Sequence, residues 1–250
     1  VKQLLQLMCD VAREAGARIR DVRAKGFHVE RKADKSPLTE ADLASHEVIA
    51  RRFAESFPEI PLLSEEGREA PYEERSGWSR FLLVDPLDGT KEFVKENGEF
   101  CVCIGYVEDR YPVLGAIYAP VADRLYFGGA GLGAFADDGR STRALHTEPP
   151  RNGEGLVVVA SRSHPDPRLE EHLAKLNVAD TITRGSALKF CLVAEGRANY
   201  YPRFNPTMEW DTAAGQALVE GAGGSMTDLD GDRFSYNKES LMNGGFFVTA

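Results

Sequence analysis

The chain has 250 residues, 42% of them hydrophobic, which is enough for a sizeable core in one large domain or in two smaller units sharing an interface. Its 30 basic and 39 acidic residues give a net charge of −9; this disfavours binding to a nucleic acid polymer, yet leaves open a small phosphorylated ligand whose charge is met by metal ions. No apolar run approaches the roughly 18–20 residues of a membrane span, no signal peptide is visible in the charged residues 1–26, and four cysteines are too few for a disulfide framework, so buried free thiols in a reducing compartment are expected.

In chain order, Leu4, Leu5, Met8, Val11, Ala12, Ala15 and Ile19 recur at helical spacing and predict an amphipathic helix over 2–24, ended by Gly26. A second helix is predicted over 39–57, with Thr39 as N-cap and Asp42 three residues on as a capping-box variant. A short strand at 60–64, a polar loop at 65–79 and a buried strand Phe81-Leu82-Leu83-Val84 ending at Asp85 follow. Residues 100–137 read as an antiparallel meander of four strands. The polar stretch 138–154 is the best boundary, which divides the chain into 1–138 and 139–250 with a cleft between them. Beyond it strands are expected at 155–160, 180–184, 198–201 and 245–249, and helices at 167–175, 186–196 and 210–222. Gly128-Gly129-Ala130-Gly131-Leu132-Gly133 reads as a hairpin turn rather than a dinucleotide loop, because no amphipathic helix follows. Asp228-Leu229-Asp230-Gly231-Asp232 lacks the later ligands of a calcium loop and reads as a turn.

The most informative segment is Asp85-Pro86-Leu87-Asp88-Gly89-Thr90-Lys91-Glu92-Phe93. Two carboxylates three residues apart leave a strand end, Gly89 permits a tight turn, and Thr90 opens a short helix. Such a turn offers hard oxygen ligands and free backbone N–H groups in one small volume, which suits magnesium and phosphate respectively. Taken alone it also reads as an ordinary turn with a helix cap. Three further acidic positions stand at element ends: Glu65 after a strand, Asp211 before an Ala-rich helix, and Asp42 in a first helical turn. Singly these read equally as a solvated edge, an N-cap and a first-turn charge. Together they supply the several carboxylates that magnesium-assisted phosphate ester hydrolysis requires.

These motifs resemble the inositol monophosphatase superfamily of magnesium-dependent, lithium-sensitive phosphatases, over essentially the whole chain. Within it they most resemble the 3'(2'),5'-bisphosphate nucleotidases of bacterial sulfate assimilation. The carriers are Ser36-Pro37-Leu38-Thr39-Glu40-Ala41-Asp42, Leu63-Ser64-Glu65-Glu66, the 85–93 segment, Asn97-Gly98-Glu99-Phe100, Gly185-Ser186-Ala187-Leu188-Lys189, Tyr201-Pro202-Arg203-Phe204 and Trp210-Asp211-Thr212-Ala213-Ala214-Gly215. Lys91-Glu92-Phe93 and 97–100 favour the nucleotidase branch. The resemblance implies an α/β (α+β) fold, a layered αβαβα sugar-phosphatase-like architecture with an antiparallel-sheet subdomain and a smaller mixed-sheet subdomain. It implies that Glu65, Asp85, the Leu87 carbonyl, Asp88 and Asp211 hold two or three Mg2+ ions. Thr90 and Asp42 would hold the attacking water, with Glu65 assisting, and the Gly89 and Thr90 N–H groups would hold the scissile phosphate.

For the rest of a nucleotide, Ser161 and His164 fit a contacting loop, with an ordinary loop histidine as the alternative for His164. Gly185, Ser186 and Lys189 open a helix whose N-terminus can face a phosphate, although Lys189 also reads as a solvated helix residue. Arg203 offers a bidentate phosphate contact. Asp88 and Asp211 would meet the substrate as well. The expected activity is hydrolysis of 3'-phosphoadenosine 5'-phosphate to AMP and phosphate by a cytoplasmic monomer or homodimer, with peripheral attachment at the inner membrane as a variant. The alternatives are turnover of inositol monophosphate or fructose 1,6-bisphosphate, and a non-catalytic nucleotide sensor.

Overall fold

The computed structural model describes residues 1–32, 37–163 and 165–250. Helix α1 (Lys2–Lys25) buries Leu4, Met8, Val11, Ala12, Ala15 and Ile19 along one face, and Gly26 stops it at a positive φ of 83°. Full burial of each larger aliphatic side chain contributes about 1.5–3 kcal/mol, which is what fixes this helix to the sheet beneath it. Strands β1 (Val29–Arg31) and β2 (Pro37–Thr39) pair antiparallel and lead into α2 (Glu40–Ser56). The expected cap is present: Thr39 accepts from the Ala41 amide, and Asp42 accepts from the Thr39 amide.

Strand β3 (Leu62–Ser64), the short helix α3 (Tyr72–Arg75), strand β4 (Arg80–Asp88) and helix α4 (Thr90–Val94) follow. Two expectations change here. The polar loop 65–79 contains α3, and Arg75 within it is buried, its two terminal guanidinium nitrogens donating to Asn237 Oδ1, the Lys238 carbonyl and the Glu239 carbonyl. The strand expected to stop at Asp85 runs on to Asp88; Asp85 pairs with Cys103 and Asp88 with Cys101, so β4 carries one extra residue there and bulges. Pro86, which has no N–H for the ladder, sits inside that bulge.

Strands β5 (Cys101–Glu108), β6 (Tyr111–Ala119), β7 (Arg124–Gly129) and β8 (Gly133–Asp137) form the expected meander, and 129–133 is a hairpin turn. The stretch 138–154 also supplies a strand, β9 (Thr142–Leu145), which pairs with β8 and completes a seven-stranded sheet in the order β3-β4-β5-β6-β7-β8-β9. Its alternation falls below a composition-based reading because three of its four residues are exposed.

The second half contains β10 (Leu156–Ser161), α5 (Pro167–Leu173), β11 (Val178–Arg184), α6 (Leu188–Ala194), β12 (Tyr200–Arg203), β13 (Thr207–Met208), a 3₁₀ turn at Glu209–Asp211, α7 (Ala213–Gly221), β14 (Ser225–Asp228), β15 (Met242–Asn243) and β16 (Phe246–Thr249). A five-stranded mixed sheet runs β11-β10-β12-β16-β14. The Asp228–Asp232 segment is a turn closed by Asp228 Oδ1, which accepts from the amides of Asp230 and Asp232.

Five layers result. Helices α1 and α2 cover one face of the large sheet through Leu82, Val84, Val102 and Ile104. Helices α6 and α7 lie between the sheets, against Leu83, Cys101 and Cys103 on one side and Val159, Tyr201, Phe246 and Val248 on the other. Helix α5 covers the outer face of the small sheet, where His172 stacks on Phe247 and bonds the Tyr200 hydroxyl. Strand β4 is apolar without alternation because both its faces are covered. In the central layer a Cβ on Gly215 would stand 2.3 Å from the Phe190 ring, so only glycine allows α6 and α7 to meet this closely. All four cysteines are free and buried.

Candidate active site

One cavity of about 230 Å³ opens between the two sheets, and it collects most of the positions singled out in the sequence. Glu65 follows β3; Asp85, Leu87 and Asp88 come from the bulged end of β4; Gly89 and Thr90 form the start of α4; Asp211 ends the 3₁₀ turn before α7. Ser161, Gly185, Ser186, Lys189 and Arg203 also line it. His164, and Ser36 of the first motif, lie outside the described residues.

The turn after β4 needs its glycine. Gly89 adopts φ 93°, and a Cβ there would meet Ser186 Cβ at 3.1 Å and the Glu99 carbonyl oxygen at 3.2 Å. Asp85 is buried, and its Oδ1 accepts from the Leu87 amide at 3.0 Å, which shapes the bulge. Asp88 Oδ2 accepts from the Ala187 amide. Asp211 Oδ2 accepts from the Met208 amide at 2.8 Å, so this carboxylate caps its turn and lines the cavity at once.

Burial pushes all three aspartates upward from the usual carboxylate range, and mutual repulsion adds to it. Asp85 is held well above that range by burial, then by Glu65, Asp88 and Asp211. Asp211 is raised well above it by burial and by Asp88. Asp88 is pushed up to about 6 by burial, although Lys189 and the Ala187 amide pull it back. Five carboxylates, Glu65, Asp85, Asp88, Glu92 and Asp211, line one cavity that is short of positive charge, and these donors are all hard oxygens. That donor chemistry fits magnesium. Lys32 supplies part of the missing charge: its ammonium bonds Glu65 Oε1 at 2.7 Å and Glu66 Oε1 at 2.5 Å. Burial draws Lys32 down, but the two carboxylates outweigh this and hold it above its ordinary value.

Asp42 does not line the cavity; it stands behind Thr90. The Thr90 hydroxyl lies 3.1 Å from Asp42 Oδ1 and 3.3 Å from the Leu87 carbonyl oxygen, while Asp42 Oδ2 accepts from both the amide and the hydroxyl of Thr39 at 2.7 Å. Burial raises Asp42 against the pull of these three donors. The capping box that starts α2 therefore also fixes the carboxylate that orients Thr90.

The 185–189 turn lines the cavity, and two of its backbone amides are bonded within the chain. The Gly185 amide donates to Glu99 Oε2 at 2.8 Å and the Ala187 amide to Asp88, so carboxylates of the chain already occupy these donors. Lys189 is not a solvated residue: it is buried, donates to the Ser186 carbonyl at 2.5 Å and lies 5.6 Å over the Tyr201 ring. Arg203 Nε donates to the Asn205 carbonyl at 3.1 Å.

Glu99 is a residue that sequence reasoning quoted without giving it a task. Besides Gly185 it receives Arg162 through two nitrogens, at 2.7 and 2.9 Å, and Arg184 at 3.2 Å. These partners outweigh burial and hold its carboxyl below the usual range. Glu99 thus ties the segment before β5 to the ends of β10 and β11. Nearby, Ser163 Oγ bonds Glu92, which lines the cavity. Nothing local in the sequence links 92 or 99 to 162, 163 and 184.

Among the described residues, one group of acids and thiols has its ligand atoms within 4.8 Å of one another: Asp88, Cys101 and Cys103. It shares Asp88 with the oxygen set but has a different character, because magnesium does not favour sulfur.

A chain with this layered fold and this cavity is a member of a phosphatase-type family, and the comparisons agree. The sequence model of the Inositol monophosphatase family matches residues 1–246, and the chain belongs to that family. It is 46% identical over 249 residues to the 3'(2'),5'-bisphosphate nucleotidase CysQ of Salmonella typhimurium strain LT2, covering 98% of this chain and 99% of that protein. Among solved structures, CysQ from Bacteroides thetaiotaomicron superposes with a TM-score of 0.86 at 40% identity, over 99% of this chain and 97% of the other. Inositol monophosphatase from Anabaena sp. PCC 7120 gives 0.76 at 28% identity, over 99% and 90%. No helix among the described residues is long and apolar enough to cross a membrane.

Proposed function

We propose that the chain is a magnesium-dependent 3'(2'),5'-bisphosphate nucleotidase that converts 3'-phosphoadenosine 5'-phosphate to AMP and phosphate. The observation that carries this reading is a single cavity lined both by the carboxylates of Glu65, Asp85, Asp88, Glu92 and Asp211 and by cations, Lys189 and Arg203 among them. The first group suits metal-assisted hydrolysis, and the second suits a substrate with a second phosphate. The names of the relatives at 44–46% identity point the same way.

Glu65, Asp85, the Leu87 carbonyl, Asp88 and Asp211 would hold two or three Mg2+ ions. When bound, these supply positive charge to the phosphate and lower the pKa of water. The chain's own part starts at Thr90. Its hydroxyl donates toward Asp42 and lines the cavity, so it would take a proton from a water there as it gives its own to Asp42. Asp42 is the positioning residue behind it, and its burial-raised pKa favours keeping a proton passed on through Thr90. The N–H groups of Gly89 and Thr90 stand at the start of α4, where amides lack intrahelical partners and favour a phosphate oxygen.

Lys189 and Arg203 would receive the second phosphate, with Ser161 and Ser186 beside them. At about 230 Å³ the cavity is below the usual range for a whole small-molecule site, so the phosphates and metals fill it and the base rests at its mouth. The protein works as a monomer or homodimer on a small nucleotide.

The test is phosphate release from 3'-phosphoadenosine 5'-phosphate, inositol 1-phosphate and fructose 1,6-bisphosphate, each with magnesium and with chelator. Magnesium-dependent release fastest from the nucleotide is expected. Faster release from inositol or sugar phosphate would overturn the assignment of Lys189 and Arg203.

A further inference from the structure

Cys101 and Cys103 are neighbours on the same face of β5, two residues apart, and their sulfurs are 3.7 Å from each other. Cys101 Sγ lies 3.9 Å from Asp88 Oδ2 and 3.4 Å from Ser186 Oγ. Two thiolates bound to one tetrahedral zinc at about 2.3 Å stand about 3.8 Å apart, and a sulfur and a carboxylate oxygen about 3.5 Å apart. The three side chains are therefore spaced, within a few tenths of an ångström for the measured pairs, as ligands of one tetrahedral ion. Both thiols are buried, but Asp88 and Ser186 line the cavity, so an ion can reach them from its floor.

We propose that Cys101, Cys103 and Asp88 form a binding site for a thiophilic divalent cation of the zinc class, and that its occupation inhibits the enzyme. Two sulfur–metal bonds form, the two thiol protons leave to solvent, and no electron is transferred. Water or the Ser186 hydroxyl completes the tetrahedron. The inhibitory part rests on the function proposed above, in which Asp88 belongs to the magnesium ligands. An Asp88 oxygen taken up by the soft ion, and the positive charge of that ion beside the oxygen set, would weaken the hold of Asp88 on magnesium. Magnesium does not compete for the thiols, because sulfur is a poor ligand for it. The cavity is thus open to both classes of ion, and the soft one acts through a residue of the hard one's site.

The test uses the reduced full chain in saturating magnesium. Cadmium is titrated as the probe, read by its thiolate charge-transfer absorbance, and zinc is titrated against nucleotide hydrolysis. One cadmium per chain with a thiolate band is expected. The band should be lost in Cys101→Ala and in Cys103→Ala, and kept in Cys9→Ala, which alters a thiol on α1 in the other core cluster. Zinc should inhibit the native protein at concentrations at least tenfold below those needed for Cys103→Ala. Absence of the band in the native protein would overturn the site, and this readout stands whether or not the variants fold or any substrate is turned over. Equal zinc sensitivity of native and Cys103→Ala would overturn the inhibitory role.

Discussion

Replacing Asp88 by Asn should abolish hydrolysis and yet make the metal-free protein more stable at neutral pH. Burial and the surrounding acids push Asp88 up from 3.8 to about 6. Between those two values the folded state binds more protons than the unfolded state, so stability falls as pH rises through this window, and the full penalty applies above it. A move of this size corresponds to about 3 kcal/mol. Asparagine carries no charge, and its side-chain oxygen can still accept from the Ala187 amide. At roughly 2–4 °C per kcal/mol for a chain of this size, the variant should melt about 6–12 °C higher than the native protein in chelator at pH 7.5. Asp85 and Asp211 will recover part of the same strain, so the gain is an upper figure. The assay is thermal unfolding of both proteins from pH 4 to 8, with chelator and with magnesium. The difference should shrink as pH falls below 6 and be largely gone by pH 4, and magnesium should raise the native melting point alone. A variant that melts at or below the native protein at pH 7.5, or a difference that ignores pH, would refute the reading of Asp88 as a repelled carboxylate.

Thr90→Ala removes the hydroxyl held by Asp42 while leaving the carboxylates in place. Its kcat should fall by roughly 10²-fold or more, with the magnesium-induced rise in melting temperature preserved; native turnover would rule out the role given to Thr90. Glu99→Gln keeps an acceptor for Gly185 but loses the charge facing Arg162 and Arg184. Both arginines are partly exposed, so a loss of about 1–2 kcal/mol is expected at pH 7 by urea unfolding. Because the folded-state pKa of Glu99 is depressed, its contribution is present above the unfolded value and is lost as pH falls through the folded one. The variant and native proteins should therefore converge in acid, and a difference that persists at pH 2 would contradict the ion-pair account.

The sequence by itself determined what is local. Periodic apolar positions located α1 and α2, and the Thr39–Asp42 cap followed from residues three apart. The unbroken run 81–84 identified a strand covered on both faces, and the Asp85–Thr90 stretch marked oxygen donors next to a turn that only Gly89 allows. That Glu65, Asp85, Asp88 and Asp211 line one cavity was expected because each stands at an element end, where side chains converge on a cleft. The tertiary structure decided everything that needs two distant segments. The bulge that carries β4 past Asp85 depends on its pairing with Cys101 and Cys103. Arg75 is buried only because the chain returns with Asn237, Lys238 and Glu239 to receive it. Strand β9 exists because β8 offers it an edge. Glu99 meets Arg162 and Arg184, and Cys101 and Cys103 meet Asp88, across 13 to 85 residues of chain or across a sheet register. A charge or thiol shows its type in the sequence, but its partner is set by the packing of the layers, and the partner decides whether it binds, braces or reacts.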